Sequence, residues 1–134
     1  MAQAESELIT IGQLELRFFM SAETTDNALD MFEMTVQPGA KVPGAHYHLE
    51  ADEAVYGLEG VLTYTIDGAK REIGPGDRAF APKGKVHHFV NNGAVPAKVL
   101  TVLTPATIGP KYFRDIAAVV NAAAATLDME AAVH

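Results

Sequence analysis

The chain has 134 residues, 49% of them hydrophobic, with ten Lys and Arg against 17 Asp and Glu and a formal charge of −7. That length suits one domain with its own core. The acidic balance without a basic run argues against nucleic acid and anionic membranes, no apolar stretch approaches the ~20 residues that span a bilayer, and the absence of cysteine leaves only nitrogen and oxygen ligands for any metal.

The amino terminus, MAQAESELIT, lacks the basic and apolar blocks of a secretory signal, so a cytoplasmic location is expected. Ile9, Ile11, Leu14, Leu16 and Phe18 roughly alternate with polar or small neighbours, which predicts a strand from Ile9 to Phe19 with an irregularity near Gly12. SAETTDNA reads as a loop, and Ala28 to Val36 as a second strand stopped by Pro38-Gly39. From Glu53 to Ile66 the pattern is that of a hairpin joined at Glu59-Gly60. Short strands follow at Lys70 to Ile73, Arg78 to Ala81, Val86 to Asn91 and Ala97 to Leu103, separated by turns rich in Gly, Pro, Asn and Asp.

Eight or nine short strands with regular punctuation predict an all-β sandwich or closed barrel. From Pro110 the pattern changes. Tyr112, Phe113, Ile116, Val119, Val120 and Ala123 recur at spacings of three and four, and an alanine run follows, so one carboxy-terminal helix is expected over about 110–125. Its apolar stripe reads as packing against the barrel or a second subunit rather than as a ligand-binding element. The tail from Leu127 to His134 is expected to be loosely ordered.

Four of the five histidines fall in two segments. In GAKVPGAHYHLEADEAVYGLEG, His46 and His48 would share one face of a strand, and Glu53 follows five residues later. About forty residues on, in GDRAFAPKGKVHHFVNN, His87 or His88 could reach the same centre. A lone histidine is most often a surface or hydrogen-bonded core residue, but the clustering favours a metal site here. His134 reads as part of a solvated terminus, and Glu50 and Asp52 as solvated loop charges.

These residues resemble the signatures of the cupin superfamily, in the manner of small single-domain bacterial cupins grouped with quercetinase-like dioxygenases. Gly39, His46, His48, Glu53 and Gly60 match the first motif, with six residues rather than five between Gly39 and His46; Gly76, Pro82, Gly84, His87 and Asn91 match the second. The resemblance implies a jelly-roll barrel over about 9–104 with a mononuclear metal held by His46, His48, Glu53 and His87. It selects His87 over His88, whose side chain would point to the opposite face. Such a set leaves open positions and suits Mn²⁺, Fe²⁺ or Ni²⁺, with catalytic Zn²⁺ as an alternative.

The leading expectation is a dioxygenase acting on a small flavonol, catechol or dicarbonyl-like substrate, with Glu53 as ligand and base. The alternatives are a non-redox metalloenzyme (isomerase, lyase or cyclase) and a small-molecule-binding cupin without catalysis. Phe32, Met34, Tyr56, Leu58, Phe80 and Phe89 would wall the pocket where they point inward. A homodimer is expected, covering exposed strands and apolar helix surface.

Overall fold

The first strand expected from the sequence is two. In this computed structural model, which describes residues 6–40, 50–85, 87–106 and 108–133, with side chains described as far as residue 123, Gly12 adopts φ +55° and the chain reverses. Strand β1 (Glu7–Ile11) thereby pairs antiparallel with β2 (Leu14–Met20), Ile11 opposite Leu14. Inside the SAETTDNA loop, a single helical turn, α1 (Ala22–Thr25), is capped by Ser21 and Thr24. Residues 41–49, and with them His46 and His48, lie outside the described residues, as does His134.

The remaining elements are β3 (Asp30–Val36), β4 (Asp52–Glu59), β5 (Leu62–Ile66), β6 (Ala69–Ile73), β7 (Arg78–Ala81), β8 (His87–Val90), β9 (Ala97–Thr104) and α2 (Pro110–Val133). They form a jelly roll of two antiparallel sheets, one ordered β1-β2-β3-β9-β4-β7 and the other β6-β5-β8. Alternation fills the space between them. Leu16, Phe32, Val36, Val99 and Leu103 point inward from the large sheet, and Leu62, Tyr64 and Phe89 from the small one.

The expected hairpin from Glu53 to Ile66 does not form. Its arms belong to different sheets, β4 pairing with β7 and β9, and β5 with β6 and β8. Gly60 sits at the crossing with φ +63°, where a Cβ would lie 2.4 Å from the carbonyl oxygen of Pro96. That close approach carries the chain from one sheet to the other. Turn chemistry alone reads the same in both cases, because each arm is equally apolar and β-branched.

Helix α2 continues to Val133, beyond the Leu127 at which a loose tail was expected. It lies against β1, where Asn121 accepts from the Gly12 amide and donates to the Thr10 carbonyl, both at 2.9 Å. Arg114 reaches Glu7 at 2.7 Å. Phe113 completes an aromatic cluster with Phe18 and Phe32, ring centroids 5.7 and 5.8 Å away.

Candidate functional site

Alternation on β4 sends Glu53 and Val55 inward and Ala54 and Tyr56 outward. Glu53 is thus a carboxylate on the inner face of the large sheet, 5% exposed, with Leu103 and Ala81 as its register neighbours. On β8 the same rule buries His87 and Phe89. His88, which also borders the cavity, is only half-buried and lies opposite Thr65. Tyr64, two residues before the Ile66 that faces His87, belongs to the same inner face of the small sheet.

These side chains meet between the sheets. Glu53 Oε2 is 2.8 Å from His87 Nε2, an ionic contact rather than a well-directed hydrogen bond. The Tyr64 hydroxyl donates to Glu53 Oε1 at 3.4 Å, and its ring stacks beside the His87 imidazole with centroids 6.2 Å apart. Burial pulls the His87 imidazole down, but the contact and charge of Glu53, with help from the Lys85 backbone, outweigh it and leave its pKa raised. Burial first, then the Glu53 charge and hydrogen bond, push the Tyr64 hydroxyl well above its usual range, so it remains a donor.

The cluster is the polar end of a cavity of about 160 Å³. Leu14, Leu16, Phe32, Met34 and Phe89 line the rest of the barrel interior. Helix α2, expected to pack without lining a site, does both: Phe113, Ile116 and Val120 form one wall. Of the residues expected to face the pocket, Tyr56 and Phe80 instead lie on the outside of the large sheet, 44% and 57% exposed. Leu58, half-buried, does not reach the cavity. Outward positions on β4 and β7 carry aromatic residues as readily as inward ones, so residue type alone could not choose the face.

Two polar residues hold the frame. Asn91, 1% exposed, donates from Nδ2 to the carbonyls of Val36 at 2.9 Å and Val95 at 2.8 Å, and accepts from the Gly93 amide at 2.8 Å. It fastens the end of β8 to the end of β3, where the segment bearing His46 and His48 begins. Asp52 is not a solvated charge; it is half-buried and accepts from the Lys83 amide at 2.8 Å, tying the start of β4 to the turn before His87. Glu50 is exposed, 3.9 Å from Lys83 Nζ.

A divalent ion is compatible with this arrangement. Ligands at about 2.1 Å from one ion and at right angles to each other stand about 3 Å apart, and the buried Oε2–Nε2 pair, at 2.8 Å, has that spacing. Among the described residues no group of three or more potential ligands occurs, Glu53 and His87 being the described half of the expected four.

The family model of the cupin domain matches residues 32–103, more than half of the chain and the whole frame of this site. The chain belongs to the cupin family. Among relatives of this cupin is the tetracenomycin polyketide synthase protein TcmJ of Streptomyces glaucescens, 33% identical over 74 residues, which are 55% of this chain and 49% of that protein. The chain thus spans about half the length of the curated relatives it matches. A predicted oxalate decarboxylase from Thermotoga maritima superposes with TM-score 0.67 at 26% identity, over 78% of this chain and 99% of that one. The polyketide cyclase RemF from Streptomyces resistomycificus superposes with TM-score 0.63 at 20% identity, over 84% and 88%, a likeness of fold. Among the described residues no helix is long and apolar enough to cross a membrane.

Proposed function

We propose that this cupin is a metal-dependent enzyme that rearranges or cyclises a small, largely apolar organic molecule bearing neighbouring carbonyl or phenol oxygens. The observation that carries this reading is the Glu53–His87–Tyr64 cluster at the polar end of an otherwise apolar cavity. His46, His48, Glu53 and His87 would hold the ion. When bound, it would supply Lewis-acid polarisation of a substrate oxygen.

The chain's own residues do the remaining work. The apolar wall takes up an aromatic or polyketide-like body and excludes water from it. Glu53 takes a proton from the carbon between two carbonyls, the carbanion attacks a third, more distant carbonyl of the same molecule to close a ring, and the resulting alkoxide takes that proton back. Tyr64, held as a donor, orients the Glu53 carboxylate through Oε1. The name of the polyketide synthase protein TcmJ supports the substrate class.

A dioxygenase would use the same cavity and the same first proton transfer, and would diverge at oxygen. The test is turnover under nitrogen and under air of a panel of catechol and flavonol compounds and of chains that carry a 1,3-dicarbonyl with a further carbonyl within ring-closing reach, with metal content measured on the same protein. Turnover under nitrogen that disappears in Glu53→Gln supports the non-redox reading. Oxygen uptake stoichiometric with substrate would replace it with the dioxygenase. Binding without turnover in either atmosphere would leave a ligand-binding cupin and reject both.

A further inference from the structure

The cavity crosses the inner face of the large sheet obliquely. Register rows run across the strands of that face, each two residues further along than the last. The cavity meets the first row at Glu53 and Leu103, the second at Phe32, the third at Met34 and Leu16, and the fourth at Leu14. Val55, Val99 and Val36 occupy the last three of these rows and are buried, yet they do not border it. The lining therefore moves from β4 and β9 to β3, then to β2, and ends at Ile11 on β1. Three steps of two residues cover about 20 Å along the strands. A cavity of about 160 Å³ drawn out over that length is a narrow slot.

Helix α2 runs beside the slot in the same sense. Phe113 stands against Phe18 and Phe32 of the second row, ring centroids 5.7 and 5.8 Å away. Val120 Cγ1 lies 3.8 Å from where a Cβ on Gly12 would be, just past the fourth row. Ile116 comes between them, four residues and so about 6 Å of helix rise before Val120. Among the described residues, the polar side chains that line the slot are those of Glu53, Tyr64, His87 and its neighbour His88. Beyond that end nothing in the lining would satisfy a polar group.

We infer that α2 is a ruler for the length of a linear apolar tail. The oxygen-bearing head of the ligand sits at Glu53 and His87, and an unbranched alkyl tail runs down the slot past Phe113 and Ile116 to Val120. This rests on the reading proposed above and narrows its substrate class, from apolar bodies in general to dicarbonyl compounds that carry their oxygens at one end and one extended tail at the other. An alkyl tail follows an oblique slot by rotation about its single bonds; a fused ring system is broader and cannot bend. Each methylene buried adds to binding until the tail meets the side chain at which the free space ends.

The test is calorimetric affinity for two homologous series at fixed metal content, alkane-2,4-diones and n-alkanols, each with progressively longer tails. In the wild type, affinity for the diones should rise about fourfold per methylene and then level off. Ile116→Phe and Val120→Phe should each bring the levelling to shorter tails, Ile116→Phe by roughly four or five carbons more, given their spacing on the helix. Val120→Ala should move it to longer tails. Val119→Phe, on the outer face of the same helix at a position 71% exposed, should leave it where the wild type has it. Circular dichroism establishes that each variant is folded. A levelling point that neither phenylalanine moves, one that both move equally, binding of neither series, or naphthyl diones that bind as tightly as linear ones of equal carbon number would overturn the ruler. Alkanols that show the same pattern, with diones no tighter, would keep the ruler and reject the head-group reading. Turnover of the ring-closing substrates without any length dependence in binding would keep the enzyme and reject the ruler.

Discussion

Asp30 is wholly buried on the inner face of β3, in the register row that continues through Leu103 to Glu53. Burial pushes its carboxyl up to about 6 from an ordinary 3.8, against a smaller opposing effect of the Ile108 backbone. The native state therefore binds more protons than the unfolded chain between those values, and stability falls as pH rises through that window. Above it the charged form costs the fold on the order of 3 kcal/mol. Asp30→Asn should raise the melting temperature at pH 8 and flatten the profile between pH 4 and 6; a profile as steep as wild type would assign the pH dependence to another group. Asn91→Ala orphans two buried carbonyls and one amide, and should cost about 2–4 kcal/mol in urea unfolding. Strand alternation puts His87 on the buried face of β8 and leaves His88 half-buried. If the metal reading is right, His87→Ala loses bound ion and His88→Ala keeps it, as measured by elemental analysis. The reverse result would mean that β8 pairs one residue out of register. Asp30 itself gave no sequence signal, since an acid beside a turn ordinarily reads as solvent-facing.

At the scale of elements, α2 shows how far a periodic pattern reaches. The spacing of Phe113, Ile116 and Val120 predicted an apolar face, and that face meets the body of the protein. It could not show that the surface beneath is the rim of a cavity, which depends on Ile11, Leu14 and Leu16 arriving from β1 and β2. Phe113→Ala should cost about 2–3 kcal/mol by unfolding and enlarge the cavity, since it removes a ring from the Phe18–Phe32 cluster. Val119→Ala, at a position 71% exposed, should change stability by less than about 0.5 kcal/mol. Equal losses would mean that the helix is held by its polar contacts at Asn121 and Arg114 instead. The β4–β5 junction was misread for a related reason. Glu59-Gly60 announces a turn, but only the contact of Gly60 with Pro96, 36 residues later in the chain, makes that turn a crossing between sheets.

Across the whole molecule, the site is one of the places where the two sheets are joined through polar groups, the Asn91 bond to Val36 being another. Glu53 comes from the large sheet and His87 and Tyr64 from the small one, and no backbone ladder links the sheets in the described strands. The residue types of the candidate site and their spacing were legible in the sequence, and the jelly roll could be anticipated from strand count and turns. Which strands would face each other could not, because pairings such as β9 between β3 and β4 join residues about 70 and 45 positions apart, beyond any local pattern. An ion held by Glu53 and His87 would bridge the sheets and so couple metal binding to global stability. At free ion about 100 times its dissociation constant the gain is about 2.7 kcal/mol, which in a domain of this size is on the order of 10 °C in Tm. Adding chelator to the metal-loaded protein should therefore lower its Tm by that amount, while His87→Ala, already without the bridge, should not respond. A wild-type Tm indifferent to chelator would separate the ion from the fold, and equal responses in both proteins would place it at ligands that do not include His87.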